Sequence, residues 1–325
     1  MTDPPYGIGF QGHAWDRPGT SHGRTRSRRR DAPATGSALP TGGTPSPSLG
    51  AEHPYQSWCG AWARGCLRVL KPGGHVVSFG APRTAHHLAC GIEQAGLELR
   101  DTLLWLFGQG FPKSRNLTGS FSGWGTALKP AYEPIILARK PLDDITQRNA
   151  ERHGTGALHI DACRDDSGRW PPNLLITHND TCAPDRCAAG CPVTGLGDRA
   201  RFFYCPKASR GERDAGCHEL ERHVIDTFKI GADNERRARA APVANFHPTV
   251  KPLALMRWLI RLTTQRDALI IDPFCGSGST GCAAMLEGRR FIGVEQDPRY
   301  ARIARARIHH WTAQRDVIVD GEVGA

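Results

Sequence analysis

The sequence contains no uninterrupted apolar run long enough to cross a bilayer, so it predicts no membrane-spanning helix and no membrane partner. Its first residues, MTDPPYGIGF, have neither the basic start nor the apolar stretch of a secretion signal. These two absences predict a cytoplasmic protein. With 325 residues, of which 39% are hydrophobic, the chain is long enough for one large domain or two modest ones.

Disulfide bonds are not expected either, although the chain has 11 cysteines, because no secretion signal accompanies them. Most of the thiols should be reduced and buried as small apolar side chains. The stretch CAPDRCAAGCPV carries thiol ligands of the kind that bind zinc, but it lacks two C-x-x-C pairs. We therefore favour reduced thiols in a loop and predict no metal. The weak candidate zinc ligands are Cys182, Cys187, Cys191 and Cys205.

Acidic residues are outnumbered by basic ones, which gives a formal net charge of +10 and a pI of about 9.3. A balance of this size suits a polyanionic partner such as nucleic acid. A high-GC genome that favours arginine codons would produce the same balance, so the net charge indicates nucleic-acid binding only together with a motif. Residues 17–50 are low in complexity and rich in Gly, Pro, Ser, Thr and Arg, which predicts a disordered loop whose arginines are solvated.

Helices and strands alternate at both ends of the sequence, which predicts an α/β fold. A helix over 55–70 is followed by the strand HVVSFG, a second helix and the strand LELRDTLLWLF. After residue 248 the segment KPLALMRWLIRLTT predicts a helix, and ALIID, STGCAAMLEG and RFIGVE predict a βαβ unit before a last helix. Residues 108–245 have only short apolar runs, such as EPIILARK and NLLITH, and predict an irregular insertion or a small second domain.

The stretch DPFCGSGST combines a strand end, a glycine-containing turn and a helix start. Gly276 and Gly278 would let the backbone approach a ligand closely. Glu295 ends the next strand, 23 residues after Asp272. An acidic residue at this distance grips a nucleoside ribose in nucleotide-binding α/β folds, whereas a glycine turn alone would be structural.

The opening DPPY is a stiff segment rich in hydrogen-bond acceptors, because its two prolines, Pro4 and Pro5, have no amide donor. The Asp3 carboxylate and the Pro4 carbonyl can both accept from an amino group. Tyr6 offers a flat face on which a base can stack. The segment therefore suits an exocyclic amine that is held and made nucleophilic.

Together these motifs resemble the DNA amino-methyltransferases that use S-adenosylmethionine (SAM). That family has a D/N/S-P-P-Y/F/W catalytic motif, matched here at residues 3–6, and a D-x-F-x-G-x-G cofactor motif, matched at residues 272–278. The catalytic motif comes first, as in the β group of the family, with LKPGGH at 70–75 and HPTVKP at 247–252 in register. The segments GFPKS, LKPAYEPIILARKP and RFFYCPKASRGER are most similar to phage- and prophage-type members.

The resemblance implies a Rossmann-like SAM-methyltransferase fold with a circularly permuted motif order. Residues 1–107 would form the catalytic half, residues 108–245 a target-recognition insertion, and residues 246–325 the SAM-binding half. Phe274, Gly276 and Gly278 would line the methionine end of SAM, and Asp272 would orient their loop. Glu295 would bind the ribose hydroxyls.

Three further cofactor contacts follow from the same resemblance. Asp297 would lie near the adenine of SAM, and Thr249 and Lys251 would contact the cofactor from the HPTVKP segment. An ordinary residue at a helix start is the alternative for Lys251.

The segments GWGTALKPAYEP and RFFYCPKASR mix aromatic and basic residues, and they would either contact DNA near the flipped base or pack around the cleft.

The implied reaction is direct methyl transfer to an exocyclic amine of a base flipped out of double-stranded DNA. Asp at the first motif position favours N6 of adenine, with N4 of cytosine in DNA as the alternative. The chain has no Pro-Cys dipeptide, which disfavours methylation of a pyrimidine ring carbon. Methylation of RNA or of protein glutamine is disfavoured by the motif order.

The family has a strand of about five apolar residues before its catalytic motif, whereas only Met1 and Thr2 precede Asp3 here. Two explanations account for the missing strand: the true start of the chain lies further upstream, or the gene is truncated. Truncation would leave unpaired backbone groups, and it adds a last alternative: an inactive remnant that still binds DNA or SAM.

Overall fold

The computed structural model describes residues 1–8, 16, 53–107, 116–164, 168–177, 189, 191, 208–224 and 242–321. The predicted low-complexity loop at 17–50 and three of the four candidate zinc ligands lie outside these residues. No helix in the described part is long and apolar enough to cross a membrane.

Helices and strands are interspersed along the described chain, and the predicted α/β class is confirmed. The helices are α1 Pro54–Val69, α2 Ala85–Gln94, α3 Thr146–His153, α4 Arg210–Asp214, α5 Leu253–Thr263, α6 Ser279–Leu286 and α7 Pro298–Gly321. The strands are β1 His75–Phe79, β2 Glu98–Phe107, β3 Tyr132–Arg139, β4 Leu174–Thr177, β5 Leu269–Asp272 and β6 Arg290–Gly293.

Helix α1 shows how the local sequence sets an element. His53 is its N-cap, with Nδ1 accepting a hydrogen bond from the Tyr55 amide, and a proline occupies the first turn, where no amide donor is needed. Tyr55, Cys59 and Ala63 recur at helical spacing and are buried against α2 and the sheet. The segment KPGG then ends the helix.

The first sheet has four strands in the order β1-β3-β2-β4. β3 is antiparallel to both β1 and β2, and β4 is parallel to β2. Phe79 pairs with Ile135, and Leu106 pairs with Tyr132, so the carboxyl ends of β1 and β2 meet the start of β3. We call this border of the sheet, marked by Phe79, Phe107 and Tyr132, the carboxyl edge.

The centre of this sheet comes from a segment that the sequence predicted only as a short apolar run. EPIILARK forms most of β3, and its residues Ile135 and Ala138 are completely buried. The strand is stabilised by pairing with β1 and β2, which are distant in sequence and invisible to local patterns. Residues 108–245 thus contribute two strands to the sheet, and the domain boundaries stay predictions.

The second sheet is the predicted βαβ unit. β5 and β6 are parallel neighbours, from Leu269 paired with Arg290 to Asp272 paired with Gly293, and α6 connects them. Helix α5 buries Leu255, Met256 and Leu259, which lie in one apolar cluster with β1, β2, β3 and α6. One continuous core therefore underlies both sheets.

Met1 and Thr2 lie between the two sheets. The Thr2 amide donates to the Val77 carbonyl at 2.9 Å, and the Phe79 amide donates to the Thr2 carbonyl at 3.0 Å, as in a parallel strand pair. On the other side the Met1 nitrogen donates to the Ile271 carbonyl at 3.0 Å. The residues that follow are therefore placed at the carboxyl ends of β1 and β5.

Candidate active site

The DPPY segment is held in one position by side chains from α1 and the loop before α2. The Tyr55 hydroxyl donates to the Pro5 carbonyl at 2.9 Å. The Thr84 hydroxyl donates to the Tyr6 carbonyl at 2.7 Å. Because both bonds go to backbone oxygens, they fix the path of the chain and leave the Asp3 and Tyr6 side chains for other contacts.

Four polar side chains meet at the carboxyl edge, and we call Asp3, Tyr6, Glu133 and Lys251 the polar cluster. Lys251 Nζ lies 2.7 Å from Asp3 Oδ2 and 3.2 Å from Glu133 Oε2. The Tyr6 hydroxyl lies 2.8 Å from Asp3 Oδ1 and 3.3 Å from Glu133 Oε2. The cluster joins residues from the DPPY segment, from the start of strand β3 and from the HPTVKP segment.

Burial and charge both act on the polar cluster. Burial raises the pKa of Tyr6, and the neighbouring Asp3 and Glu133 carboxylates raise it further, so the phenol stays protonated. Burial alone would lower the pKa of Lys251, but the same two carboxylates outweigh it and the pKa is raised. The ammonium group of Lys251 therefore stays charged. It faces two carboxylates, Asp3 and Glu133, so the polar cluster has one more negative than positive group.

Asp272 links the catalytic motif to the glycine turn. Its Oδ1 accepts hydrogen bonds from the Thr2 hydroxyl at 2.7 Å and the Phe274 amide at 3.1 Å. Its Oδ2 accepts from the Thr280 hydroxyl at 2.6 Å. Burial raises the pKa of this carboxyl group, while these donors oppose the rise. Asp272 therefore fixes the turn to the start of α6 and to the segment that carries Asp3.

The glycine turn itself closes on Glu295. The Gly276 amide donates to Glu295 Oε2 at 2.8 Å, and the Asp297 amide donates to Oε1 at 2.9 Å. Gly276 and Gly278 have φ angles of +53° and +80°, which disfavour any other residue. A Cβ on Gly276 would lie 2.7 Å from the imidazole of His247, so part of the space that this glycine leaves is filled by the HPTVKP segment.

Three aromatic side chains, Phe274, Trp58 and Trp62, pack together beside the glycine turn. The Phe274 ring lies 5.4 Å from Trp58 and 5.8 Å from Trp62, measured between centroids. Both tryptophans belong to α1, and Trp58 also stacks on Tyr55 at 5.9 Å. Helix α1 thus contacts both motifs: it holds DPPY through a hydroxyl and the glycine turn through aromatic packing.

A buried arginine, Arg307, forms hydrogen bonds to the glycine turn. Arg307 of α7 is completely buried, and its Nη1 donates to the Ser277 carbonyl at 2.8 Å. The same nitrogen lies 3.2 Å from the Ser279 hydroxyl. Because the guanidinium bonds to the backbone of the turn, it holds the loop shape that the glycines permit.

Three residues predicted as cofactor contacts have other partners in the structure. Lys251 bonds to the carboxylates of the polar cluster, as described above. The Thr249 amide donates to His247 Nδ1 at 3.3 Å. Asp297 forms an ion pair with Arg299 at 2.7 Å, whose hydrogen bonds lower its pKa to about 2. Their roles toward a cofactor stay predictions.

The predicted thiol cluster is not assembled in the described part of the chain. Cys191 is buried there, and among the described residues no group of three or more potential ligands could hold a metal ion. Cys182, Cys187 and Cys205 lie outside the described residues, so the preference for reduced thiols stays a prediction.

Several residues of the site were not found by sequence reasoning. Glu133, Tyr55 and Thr84 touch the two motifs or their supports, whereas His247 was anticipated only as part of the HPTVKP segment. Glu133 had one sequence signal, a carboxylate between Tyr132 and Pro134 at the start of an apolar run. The others look like ordinary helix or loop residues, and only the packing of α1 and the HPTVKP segment brings them to the site.

Comparison with known proteins gives matches along nearly the whole chain. The family model described as DNA methylase, of the N6 and N4 type, matches residues 1–306. Type II methyltransferase M.HindIII from Haemophilus influenzae is 25% identical over 95% of this chain and 87% of its own length. Type II methyltransferase M2.MboI from Moraxella bovis is 47% identical over 66 residues, a local match to 20% of this chain and 24% of the relative.

Two solved structures are more distant. The cytosine-N4-specific PvuII DNA methyltransferase is 20% identical, with a TM-score of 0.47 over 83% of this chain and 78% of its own. The M1.HpyAVI–SAM complex is 18% identical, with a TM-score of 0.45 over 77% and 81% of the two chains. Because the family model spans both motifs and the sheet between them, the chain belongs to the DNA methylase family.

Proposed function

We propose that this protein transfers a methyl group from SAM to N6 of adenine in double-stranded DNA. The observation that carries the proposal is the Thr2–Asp272 hydrogen bond of 2.7 Å, which joins the two motifs across 270 positions of sequence. An amine held at Asp3 therefore lies beside the glycine turn. Holding two reactants in this way converts a bimolecular reaction into an effectively unimolecular one.

The residues around the turn suit SAM. Each Glu295 carboxylate oxygen accepts one hydrogen bond from a backbone amide and keeps a lone pair for a ribose hydroxyl. Phe274, with Trp58 and Trp62 behind it, supplies an aromatic surface that favours a cationic sulfonium. The bound cofactor would supply the electrophilic methyl group. The match to the DNA methylase family model over residues 1–306 supports this choice of cofactor.

The polar cluster would hold the base. Each Asp3 oxygen already accepts one hydrogen bond, from Tyr6 or Lys251, and keeps a lone pair for the amine. Lys251 stays protonated and keeps Asp3 an acceptor. Tyr6, fixed through its hydroxyl, would present its ring to the base. The nitrogen lone pair would attack the methyl carbon, the methyl–sulfur bond would break with its electron pair going to sulfur, and the methylated amine would then release a proton to water.

The choice between bases rests on Asp at the first motif position, which favours adenine. The second candidate is N4 of cytosine, which also presents an exocyclic amine, and the PvuII enzyme carries that specificity. Nucleoside mass spectrometry of DNA from an expressing host that lacks its own methylases tests both. N6-methyladenine supports the first proposal, N4-methylcytosine the second, and neither product with an intact, SAM-binding protein contradicts both.

The control is Asp3→Asn, which keeps the size of the side chain and removes its charge. Methylation should disappear with this variant, because the amide offers a weaker acceptor and can turn its NH2 toward the base. Persistence of the modified nucleoside would place the chemistry elsewhere. Binding of SAM, measured by calorimetry, should change little.

A further inference from the structure

A short hairpin before β3 exposes large apolar side chains. Residues 116–125, which we call the aromatic hairpin, are closed by a bridge between Asn116 and Gly125 and by a 2.9 Å hydrogen bond from the Leu117 amide to the Trp124 carbonyl. Phe121 and Trp124 meet edge to face, with centroids 6.1 Å apart. Their side chains are nevertheless 57% and 66% exposed.

This exposure is costly unless a partner covers it. Leu128, 91% exposed, and Tyr132, 39% exposed, extend the apolar surface from the hairpin toward β3. Exposed apolar patches of this kind mark interaction sites in soluble proteins. The backbone turn is well formed, with the Trp124 amide donating to the Phe121 carbonyl at 3.0 Å, so the two rings are presented by a defined loop.

The hairpin lies on the same border of the sheet as the polar cluster. The Phe107 amide donates to the Ala131 carbonyl at 2.9 Å, which places the chain before β3 at the carboxyl edge. Glu133, two residues further, touches the Tyr6 hydroxyl. Glu133 follows Trp124 by nine positions, which span at most about 32 Å when the chain is fully extended, about one helical turn of B-DNA.

The charge of the segment suits DNA. Residues 116–132 carry one basic residue, Lys129, and no acidic residue. Lys129 is exposed between the hairpin and β3. An aromatic pair without neighbouring carboxylates can approach a phosphate backbone without repulsion and still stack on bases.

We propose that Phe121 and Trp124 stack on bases of the DNA duplex beside the extruded target base and stabilise the gap that it leaves. Extrusion costs unstacking energy, which inserted apolar side chains offset in other DNA-binding proteins. This inference rests on the proposed function, because a flipped base is what the polar cluster would hold. It adds a DNA-contacting surface outside the two motifs.

The test compares native with heat-denatured genomic DNA from a methylase-free host, using tritiated SAM and initial rates. The double variant F121A/W124A should lower the rate on native DNA by about 10-fold or more, since base–aromatic stacking contributes ~1–3 kcal/mol per base. On denatured DNA, where no base must leave a duplex, the loss should stay below about 3-fold. The conservative variant F121W/W124F should retain most of the native-DNA rate.

A matched control is Trp170→Ala, because Trp170 is 68% exposed but lies elsewhere. It precedes β4, and the start of β4 pairs with Leu104, so Trp170 lies toward the amino end of β2, away from the carboxyl edge. This variant should methylate both substrates at wild-type rates. An equal loss with Trp170→Ala, or equal losses on native and denatured DNA for the double variant, would overturn the inference.

Two further results separate the inference from its rivals. If the wild-type protein transfers no methyl group, filter binding of labelled duplex fragments replaces the rate. Weaker binding by the double variant then supports the hairpin contact although the proposed function fails, and unchanged binding contradicts it. If sedimentation shows that the double variant changes only the oligomeric state, the hairpin contacts a second copy of the chain and the inference is wrong.

Discussion

The hydroxyl of Thr2 donates a 2.7 Å hydrogen bond to Oδ1 of Asp272, and both residues are only 2% exposed. This contact joins the residue before the catalytic motif to the first residue of the cofactor motif. Since Asp272 also accepts from Thr280 and the Phe274 amide, one carboxylate holds three segments. This buried carboxylate is therefore one of the contacts that set the distance between the two motifs.

Replacing Thr2 by valine should separate the two motifs slightly. The variant keeps the shape of the side chain and removes one donor to a buried carboxylate, so the free energy of unfolding should fall by about 1–3 kcal/mol. The methyl-transfer rate should fall with it. Thr2→Ser, which keeps the hydroxyl, is the control for urea unfolding and initial rates, and equal behaviour of both variants would contradict the role of the hydrogen bond.

Removing the ammonium group of the polar cluster should be more severe. Lys251→Met leaves the Asp3 and Glu133 carboxylates together without their cation, which should lower the free energy of unfolding by about 3–5 kcal/mol. Adding Glu133→Gln should restore part of this loss, because only one carboxylate then remains. Urea denaturation of the single and double variants measures the coupling, and strictly additive losses would argue against the cluster.

The tyrosine of α1 should affect the rate more than the affinity for SAM. Tyr55→Phe keeps the ring that stacks on Trp58 and loses the hydrogen bond to the Pro5 carbonyl. The DPPY segment should become less well positioned, with a loss in kcat of about 10-fold, which corresponds to ~1.4 kcal/mol. The KM for SAM should stay near its wild-type value. A rise in KM with unchanged kcat would contradict a positioning role.

Acid should destabilise the fold through a histidine far from the chemistry. Burial, helped by the positive charge of Arg139, lowers the pKa of His75 to about 4. The unfolded chain, with a pKa near 6.5, therefore binds a proton that the folded state rejects, so stability is full above about pH 6.5 and falls toward pH 4. Protonation of His75 lowers the free energy of unfolding by at most about 3 kcal/mol.

His75→Gln tests this dependence. The variant removes the titrating group at the start of β1, at the end of the strand opposite Phe79 and the carboxyl edge. Its free energy of unfolding should change less between pH 6.5 and pH 4.5 than that of the wild-type protein. The same slope in both proteins would show that His75 does not cause the acid sensitivity.

Elements with strong local periodicity were correctly predicted from the sequence. Helix α1 carries its cap, its proline and its buried spacing within one segment, and the βαβ unit is marked by a glycine turn between two apolar runs. Strand β3 was predicted only as a short apolar run, because its stability comes from pairing with β1 on one side and β2 on the other. Helix caps and turns act locally, whereas strand pairing depends on chain segments far apart in sequence.

By itself, the sequence determined which residue types are available for the chemistry: an acceptor-rich DPPY, a glycine turn and an acidic residue after the next strand. Only the tertiary structure decided where they meet. It placed Lys251 against both Asp3 and Glu133, and it placed the Thr2 hydroxyl where it joins Asp272 to the catalytic segment. Hydrogen bonds and ion pairs are short-ranged, so such partners become defined only when the folded sheets bring both ends of the chain together.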